Sequence, residues 1–253
     1  MKIVVFLSMP TSANTTRGRY RRVLLKLSGE SFASEGTLGI QPEELASIST
    51  EIAAAVGEGL EMAVVVGGGN IVRGARLAAA GKFDQSTADY MGMLGTVING
   101  LALKQGLHSV GIESRVMSAI HVPSVAESFI RARAMRHFEK GRVIILVAGT
   151  GNPYFTTDTC AALRAIELGA EVLLKATKVD GIYTADPKRD PTATRYETLR
   201  FAQALDQKLG VMDLTAMTMC MEHALPVVVF DYKVPGNIRR VVDGQRIGTL
   251  VTA

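Results

Sequence analysis

Met62-Ala63-Val64-Val65-Val66 runs without a polar break into Gly67-Gly68-Gly69-Asn70. A continuous apolar run, rather than an alternating one, marks a strand covered on both faces. The glycines behind it let the backbone turn sharply and approach a ligand. The same shape recurs on either side. Val23 to Leu27 leads into Ser28-Gly29-Glu30, and Val143 to Ala148 leads into Gly149-Thr150-Gly151-Asn152-Pro153. Val172 to Leu174, Val227 to Phe230 and the weaker Ile112 to Met117 predict three more strands, all spaced too widely for hairpins.

Helical patterns fill the intervals. Pro42-Glu43-Glu44 opens one, with proline in the first turn and acids at the positive end of the helix dipole. Met91, Leu94, Ile98 and Leu101 repeat at helical spacing between Ser86 and Gln105. Val125, Phe129 and Ala132 predict another helix, and Ala161 to Leu168 a further one. Strand and helix in alternation predict an α/β fold, a mostly parallel central sheet sandwiched between helices. Asp180 to Pro191 is rich in turn residues and reads as an excursion from the sheet, a hairpin or flap.

Composition narrows the classes. With 47% hydrophobic and 21% charged residues the chain reads as globular, and with no tryptophan its core must be largely aliphatic. Residues 20–253 are expected to form one domain. Before them, Ile3 to Leu7 with Ser12-Ala13 faintly resembles a secretory signal, at or below the usual apolar length of about 7 residues. Residues 1–19 are expected to be a disordered or non-native extension, because the organised pattern begins only at Tyr20, with a cleaved signal as the minority reading. The formal charge of +4 suits an anionic ligand without demanding nucleic acid. Arg17, Arg19, Arg21 and Arg22 are the one dense basic cluster; no groove-reading motif accompanies them, and they read as a solvated tail. Two distant cysteines, Cys160 and Cys220, each within a predicted helix, suggest a reducing, cytoplasmic setting. No apolar run approaches the roughly 18 residues of a membrane span.

In an open α/β sheet ligands sit beyond the carboxyl ends of the strands, so the three glycine turns are expected to share one crevice. Lys26 and Arg73 stand beside two of them, and Thr156-Thr157-Asp158 at a helix start follows the third, a combination that points to phosphate binding. The nucleotide patterns G-x-x-x-x-G-K-[ST] and G-x-G-x-x-G are both absent, as are the protein-kinase signatures. The four histidines show no ligand spacing, His137 and His223 read as surface or helix-end residues, and no protein metal site is expected. Phosphoryl transfer needs positioning and a cation at the moving group. Lys26 is the natural cation, and Asp158 and Asp213 are candidates to hold it, though either would serve equally as a helix cap.

Several segments together resemble bacterial uridylate kinases of the amino acid kinase superfamily. They are Lys26-Leu-Ser-Gly-Glu30, Gly67-Gly-Gly-Asn70 with Arg73-Gly74, Asp89-Tyr-Met-Gly-Met93, Thr150-Gly-Asn-Pro-Tyr-Phe-Thr-Thr-Asp158, Lys175-Ala-Thr-Lys-Val-Asp-Gly181, Asp213 in Val-Met-Asp-Leu, and the closing Gly248-Thr-Leu-Val. The glycine turns are shared across the superfamily, whereas Thr150 to Asp158 is specific to its uridylate members. The spacing from Arg73 to Asp89 is one residue longer than usual, and Gln85-Ser-Thr-Ala88 departs from the usual wording.

The resemblance implies transfer of the γ-phosphate of ATP to UMP in pyrimidine nucleotide biosynthesis, with Mg²⁺ carried by ATP. It implies that Lys26 stabilises the transferring group, with Leu27, Ser28 and Gly29 lining the ATP phosphates. Gly69 and Arg73 would face ATP, and Thr177, Tyr183 and Asp186 would contact its adenine nucleotide end. Gly68 would touch UMP and Asp89 hold its ribose. Thr150, Gly151, Asn152, Pro153, Tyr154, Phe155, Thr156 and Thr157 would complete the UMP site. Asp213 would orient the catalytic lysines, with Asp158 assisting. Homohexamers, GTP activation and UTP inhibition are implied as well, with the Ser34 to Gly39 turn in a regulatory region. The apolar, small-residue stripe from Met91 to Gly95 suits packing against a second subunit, and core packing within one subunit explains it equally. Two other readings stay open: another enzyme of this fold acting on a carboxylate or carbamate, or a non-catalytic nucleotide sensor. A nucleic-acid module is the weakest reading.

Overall fold

The computed structural model describes residues 20–57, 59–79, 81, 83–187 and 189–253. The expected extension, with Arg17 and Arg19, lies outside the described residues.

Nine strands among the described residues form one sheet. In chain order they are β1 (Arg22–Leu27), β2 (Glu61–Val66), β3 (Ser114–Ser118), β4 (Glu127–Ser128), β5 (Val143–Val147), β6 (Val172–Thr177), β7 (Thr198–Arg200), β8 (Val227–Asp231) and β9 (Thr249–Thr252). Their order across the sheet is β4-β3-β5-β2-β1-β6-β8-β9-β7. Every pairing is parallel except β8 with β9. The six apolar runs each became a strand, with β1 and β2 at the centre. Along β1 successive side chains enter opposite cores: Val23, Leu25 and Leu27 pack into one apolar cluster and Leu24 into the other. Period-two alternation between two buried faces is what a run without polar breaks requires.

The helices are α1 (Pro42–Ala55), α2 (Gly74–Ala79), α3 (Gln85–Ser109), α4 (Arg131–Glu139), α5 (Thr157–Leu168), α6 (Phe201–Asp206), α7 (Leu214–Glu222) and α8 (Asn237–Val242). On one face of the sheet lie α1, α3 and α8; α5 packs on the other with α7 beside it. Both ends of α3 are explained locally. Asp84 caps its start by accepting the Thr87 N–H at 3.0 Å, and Gly111, in the left-handed region at φ 81°, turns the chain away after its end.

Two expectations need correction and a third is narrowed. No helix carries Val125, Phe129 and Ala132 on one face. The backbone there is taken by the sheet, since β4 pairs with β3 and Phe129 donates its N–H to Ser118 O at 2.8 Å, and α4 begins only at Arg131. His137, expected at the surface or at a helix end, takes the second place. It is 8% exposed at the end of α4, between Arg142 (3.3 Å) and the Glu127 carboxylate (3.1 Å). Arg22 is not part of a solvated tail either, because it pairs with Glu61 at 2.6 Å and donates to Leu168 O.

The excursion after β6 folds back on itself. Tyr183 and Arg195 form an antiparallel bridge, and Tyr196 N–H reaches Ile182 O at 2.8 Å. No helix of the described residues is long and apolar enough to cross a membrane.

Candidate active site

The three glycine turns converge at the carboxyl ends of β1, β2 and β5, as the sheet rule predicts. They line one cavity of about 510 Å³ together with Lys26, Arg73, Asp89, Thr96 and the start of α5. Part of their glycine content is forced by contact between the turns. A Cβ on Gly29 would lie 2.4 Å from Gly69 N, one on Gly67 2.6 Å from Gly29 N, and one on Gly68 2.5 Å from Gly92 O of α3. Gly69 has open space where a Cβ would point, so its backbone faces the cavity unobstructed.

Lys26 and Lys175 form the cationic centre. β1 and β6 pair in the register Val23↔Val172 to Lys26↔Lys175, which sets two lysines side by side on one face of the sheet. Asp158, in the first turn of α5, lies over both. Its Oδ1 is 2.8 Å from Lys26 Nζ and its Oδ2 accepts from Lys175 Nζ at 2.7 Å. Burial pushes the Asp158 carboxyl up, but the two ammonium charges outweigh it and hold the group below the ordinary carboxylate range. Burial acts on Lys175 in the same direction as the neighbouring Lys26 charge. Together they keep that lysine below its usual value against the pull of Asp158.

The two lysines are held differently. Lys175 is fixed by two hydrogen bonds, to Asp158 and to Val211 O. Lys26 is held by its ion pair with Asp158 Oδ1 at 2.8 Å. Lys26 also lines the glycine cavity, while Lys175 lines a second cavity of about 450 Å³ with Thr177, Tyr183 and Asp186. The ion triad thus stands between the two cavities, and Lys26 is its member that lines the glycine cavity.

Most of the remaining residues singled out from sequence border the glycine cavity; Pro153 is not among its lining. Ser28, Gly29, Gly68, Gly69, Arg73, Asp89, Thr150, Asn152, Phe155, Thr156 and Thr157 line the glycine cavity. Asp89 accepts the Tyr154 N–H (2.8 Å) and the Gln85 side-chain N–H (2.8 Å), so it ties α3 to the third turn. Leu27 is fully buried with its side chain in the core, which leaves only its backbone for a ligand. Gly151 packs on Ala119, and Tyr154 is 74% exposed in the left-handed region at φ 71°.

Asp213 does not reach the lysines directly. It caps α7 by accepting the Ala216 N–H and takes the hydroxyls of Thr156 (2.5 Å) and Thr159 (2.9 Å). The direct lysine contacts are made by Asp158, to which the resemblance gives an assisting part. Asp213 instead fixes the α5 cap, since Thr156 accepts the N–H groups of Asp158 and Thr159.

Lys175 is a site residue that the motifs alone do not single out. A signal for it existed, because Val172-Leu-Leu-Lys175 repeats Val23-Leu-Leu-Lys26 letter for letter. Both cysteines are buried and inert, their thiols pushed up by burial to about 12.

Solved structures share this architecture. UMP kinase from Bacillus anthracis is 39% identical with a TM-score of 0.89, covering 92% of this chain and 96% of its own. UMP kinase from Ureaplasma parvum is 36% identical with a TM-score of 0.87, covering 93% and 100%. Uridylate kinase from Archaeoglobus fulgidus is 27% identical with a TM-score of 0.68, covering 90% and 99%. Residues 21–231 match the amino acid kinase family, and with the lysine pair, the glycine turns and the sheet order in one place, the chain belongs to that family.

Proposed function

We propose that the protein is a UMP kinase, transferring the γ-phosphoryl group of MgATP to UMP in pyrimidine nucleotide supply. The observation that carries this reading is the Lys26–Asp158–Lys175 wall between two cavities, one lined by the glycine turns. UMP occupies the side of the first cavity that holds Asp89 and residues 150–157. The ATP phosphates run over Ser28, Gly29, Gly69 and Arg73, and the adenine end reaches Thr177, Tyr183 and Asp186. The neighbours named UMP kinase support this choice of substrates over a carboxylate or carbamate.

In the reaction an oxygen of the UMP phosphate attacks the γ-phosphorus while the bond to the ADP oxygen breaks. Charge spread over the moving group is met by Lys26, which leaves Asp158 for it, while Lys175 stays fixed and keeps Asp158 ionised. Arg73 must give up Glu30, 2.6 Å away, to reach a phosphate. Mg²⁺ enters as part of the substrate, bound by phosphate oxygens. The site's central carboxylate, Asp158, is engaged by two lysines.

The same reading takes residues 20–253 as one catalytic domain working in the cytoplasm. It also implies a homohexamer, regulated by GTP and UTP. Support for assembly comes from α3, where Tyr90, Leu94 and Ile98 recur every four residues and are 45%, 48% and 46% exposed. Met93 and Gly95 of that helix turn inward to the subunit's own core.

The test is ADP release from MgATP with UMP, CMP, dTMP, acetylglutamate and aspartate offered in parallel. Release with UMP alone is expected. Release with an amino acid would overturn the substrate, and silence with all five would overturn the enzyme.

A further inference from the structure

Helix α3 carries two polar side chains on an otherwise apolar buried face. Thr96 is 2% exposed and Asn99 is fully buried. They lie three residues apart, neighbours on one side of the helix. Neither bonds to a core side chain of the sheet. Each instead answers a backbone group of a different glycine turn.

Thr96 Oγ1 donates to Met93 O at 2.7 Å, which fixes its rotamer, and accepts the Ala148 N–H at 2.6 Å. That N–H belongs to the first of two successive residues in the left-handed region, Ala148 (φ 62°) and Gly149 (φ 54°), where the chain leaves β5. An alanine there is strained, and the bond from α3 helps hold it. Asn99 Nδ2 donates to Gly67 O (2.7 Å) and to Asn70 Oδ1 (2.6 Å). Asn70 Nδ2 in turn donates to Asn99 Oδ1 (3.1 Å) and to Gly39 O (2.7 Å). The two carboxamides form a closed ring in which every N–H is used. Between the two anchor points Gly68 packs directly on α3, where a Cβ would meet Gly92 O at 2.5 Å and Thr96 N at 2.9 Å.

We infer that Thr96 and Asn99 are positioning residues that hold the second and third glycine turns in one register on α3, Asn99 setting the ATP side and Thr96 the UMP side. The inference rests on the function proposed above and deepens it. An ordinary buried polar pair would lower stability when removed but leave the Michaelis constants alone. A register device moves one substrate's constant for each residue.

The experiment is steady-state kinetics with both substrates varied, alongside thermal melting to confirm folding. Thr96→Val is nearly isosteric and leaves the Ala148 N–H unanswered. It is expected to raise the KM for UMP roughly three- to tenfold, the scale of one hydrogen bond, with the KM for ATP within about twofold. Thr96→Ser, which keeps the hydroxyl, is expected to restore the UMP constant. Asn99→Leu is expected to show the mirror image, raising the KM for ATP. If Asn99→Leu does not fold, Thr96 decides alone. A folded Thr96→Val with both constants unchanged, an equal rise in both, or a Thr96→Ser no better than valine overturns the inference. A wild-type protein unable to phosphorylate UMP overturns the proposed function separately. The dissociation constants of UMP and ATP on the same variants, by calorimetry, then carry the same comparison.

Discussion

Replacing Asp158 by Asn tests the centre of the site most directly. The change removes one charge and keeps the shape, leaving Lys26 and Lys175 adjacent on β1 and β6 with no negative charge between them. At 2.8 and 2.7 Å, each ion pair is worth about 6 kcal/mol gross at an effective dielectric near 20. Desolvation offsets much of that, and breaking a buried pair from one side costs about 3–5 kcal/mol net. For a chain of this size each kcal/mol moves the melting point by roughly 2–4 °C, so a drop on the order of 10 °C is expected at neutral pH. Turnover should fall about 10²–10³-fold, because Lys26 loses its anchor and Lys175, already below its usual pKa, loses the charge that keeps it protonated.

The pH dependence has a definite sign. The folded Asp158 pKa is depressed, so its stabilisation is present above the unfolded carboxylate value and is lost as pH falls through the folded one. The gap in melting temperature between wild type and Asp158→Asn should therefore be full at neutral pH and close in acid. A variant melting within about 2 °C of wild type and turning over within about threefold would show that Asp158 does not hold these lysines in solution.

Three further outcomes are expected. Lys26→Ala should lower turnover by roughly 10²–10³-fold or more, and near wild-type turnover in a coupled ADP assay would remove its role. Asp89→Asn should raise the KM for UMP more than it lowers turnover; an effect on ATP instead would reverse the two nucleotide sites. Gly29→Ala places a Cβ 2.4 Å from Gly69 N in a backbone-to-backbone contact that cannot relax by moving a side chain. It should destabilise by about 1–3 kcal/mol in a chemical denaturation curve and weaken ATP binding, and an unchanged midpoint would show that the turns are not in contact.

Much of the fold was legible because its central strands are unbroken apolar runs, a pattern that only a doubly covered sheet produces. The strands that escaped, β4, β7 and β9, are two to four residues long and carry too little pattern to separate from loops. The false helix over Val125 to Ala132 failed for the related reason that periodicity over eight residues is weak when the backbone has a sheet partner. In the site, the glycine turns and Lys26 could be read because a lysine ending a buried strand is anomalous. The choice between Asp158 and Asp213 could not, since both open helices and only packing decides which carboxylate faces the lysines. Thr96 and Asn99 gave no sign in a helix with several small and polar residues, because the turns they hold, at Ala148 and at Gly67 to Asn70, lie far away in the chain.

The repeated Val-Leu-Leu-Lys of β1 and β6 has a consequence for strand alignment. Side chains alternate with a period of two, so sliding β6 along β1 by two residues would keep every apolar side chain on its own face. Leucine and valine alone cannot tell the right alignment from its neighbours. What a slip would separate is Lys26 from Lys175, leaving one ammonium group without the single carboxylate they share. The ion triad therefore carries positional information that the hydrophobic core lacks, and the atoms poised to meet a phosphate also count the residues of the two strands that present them.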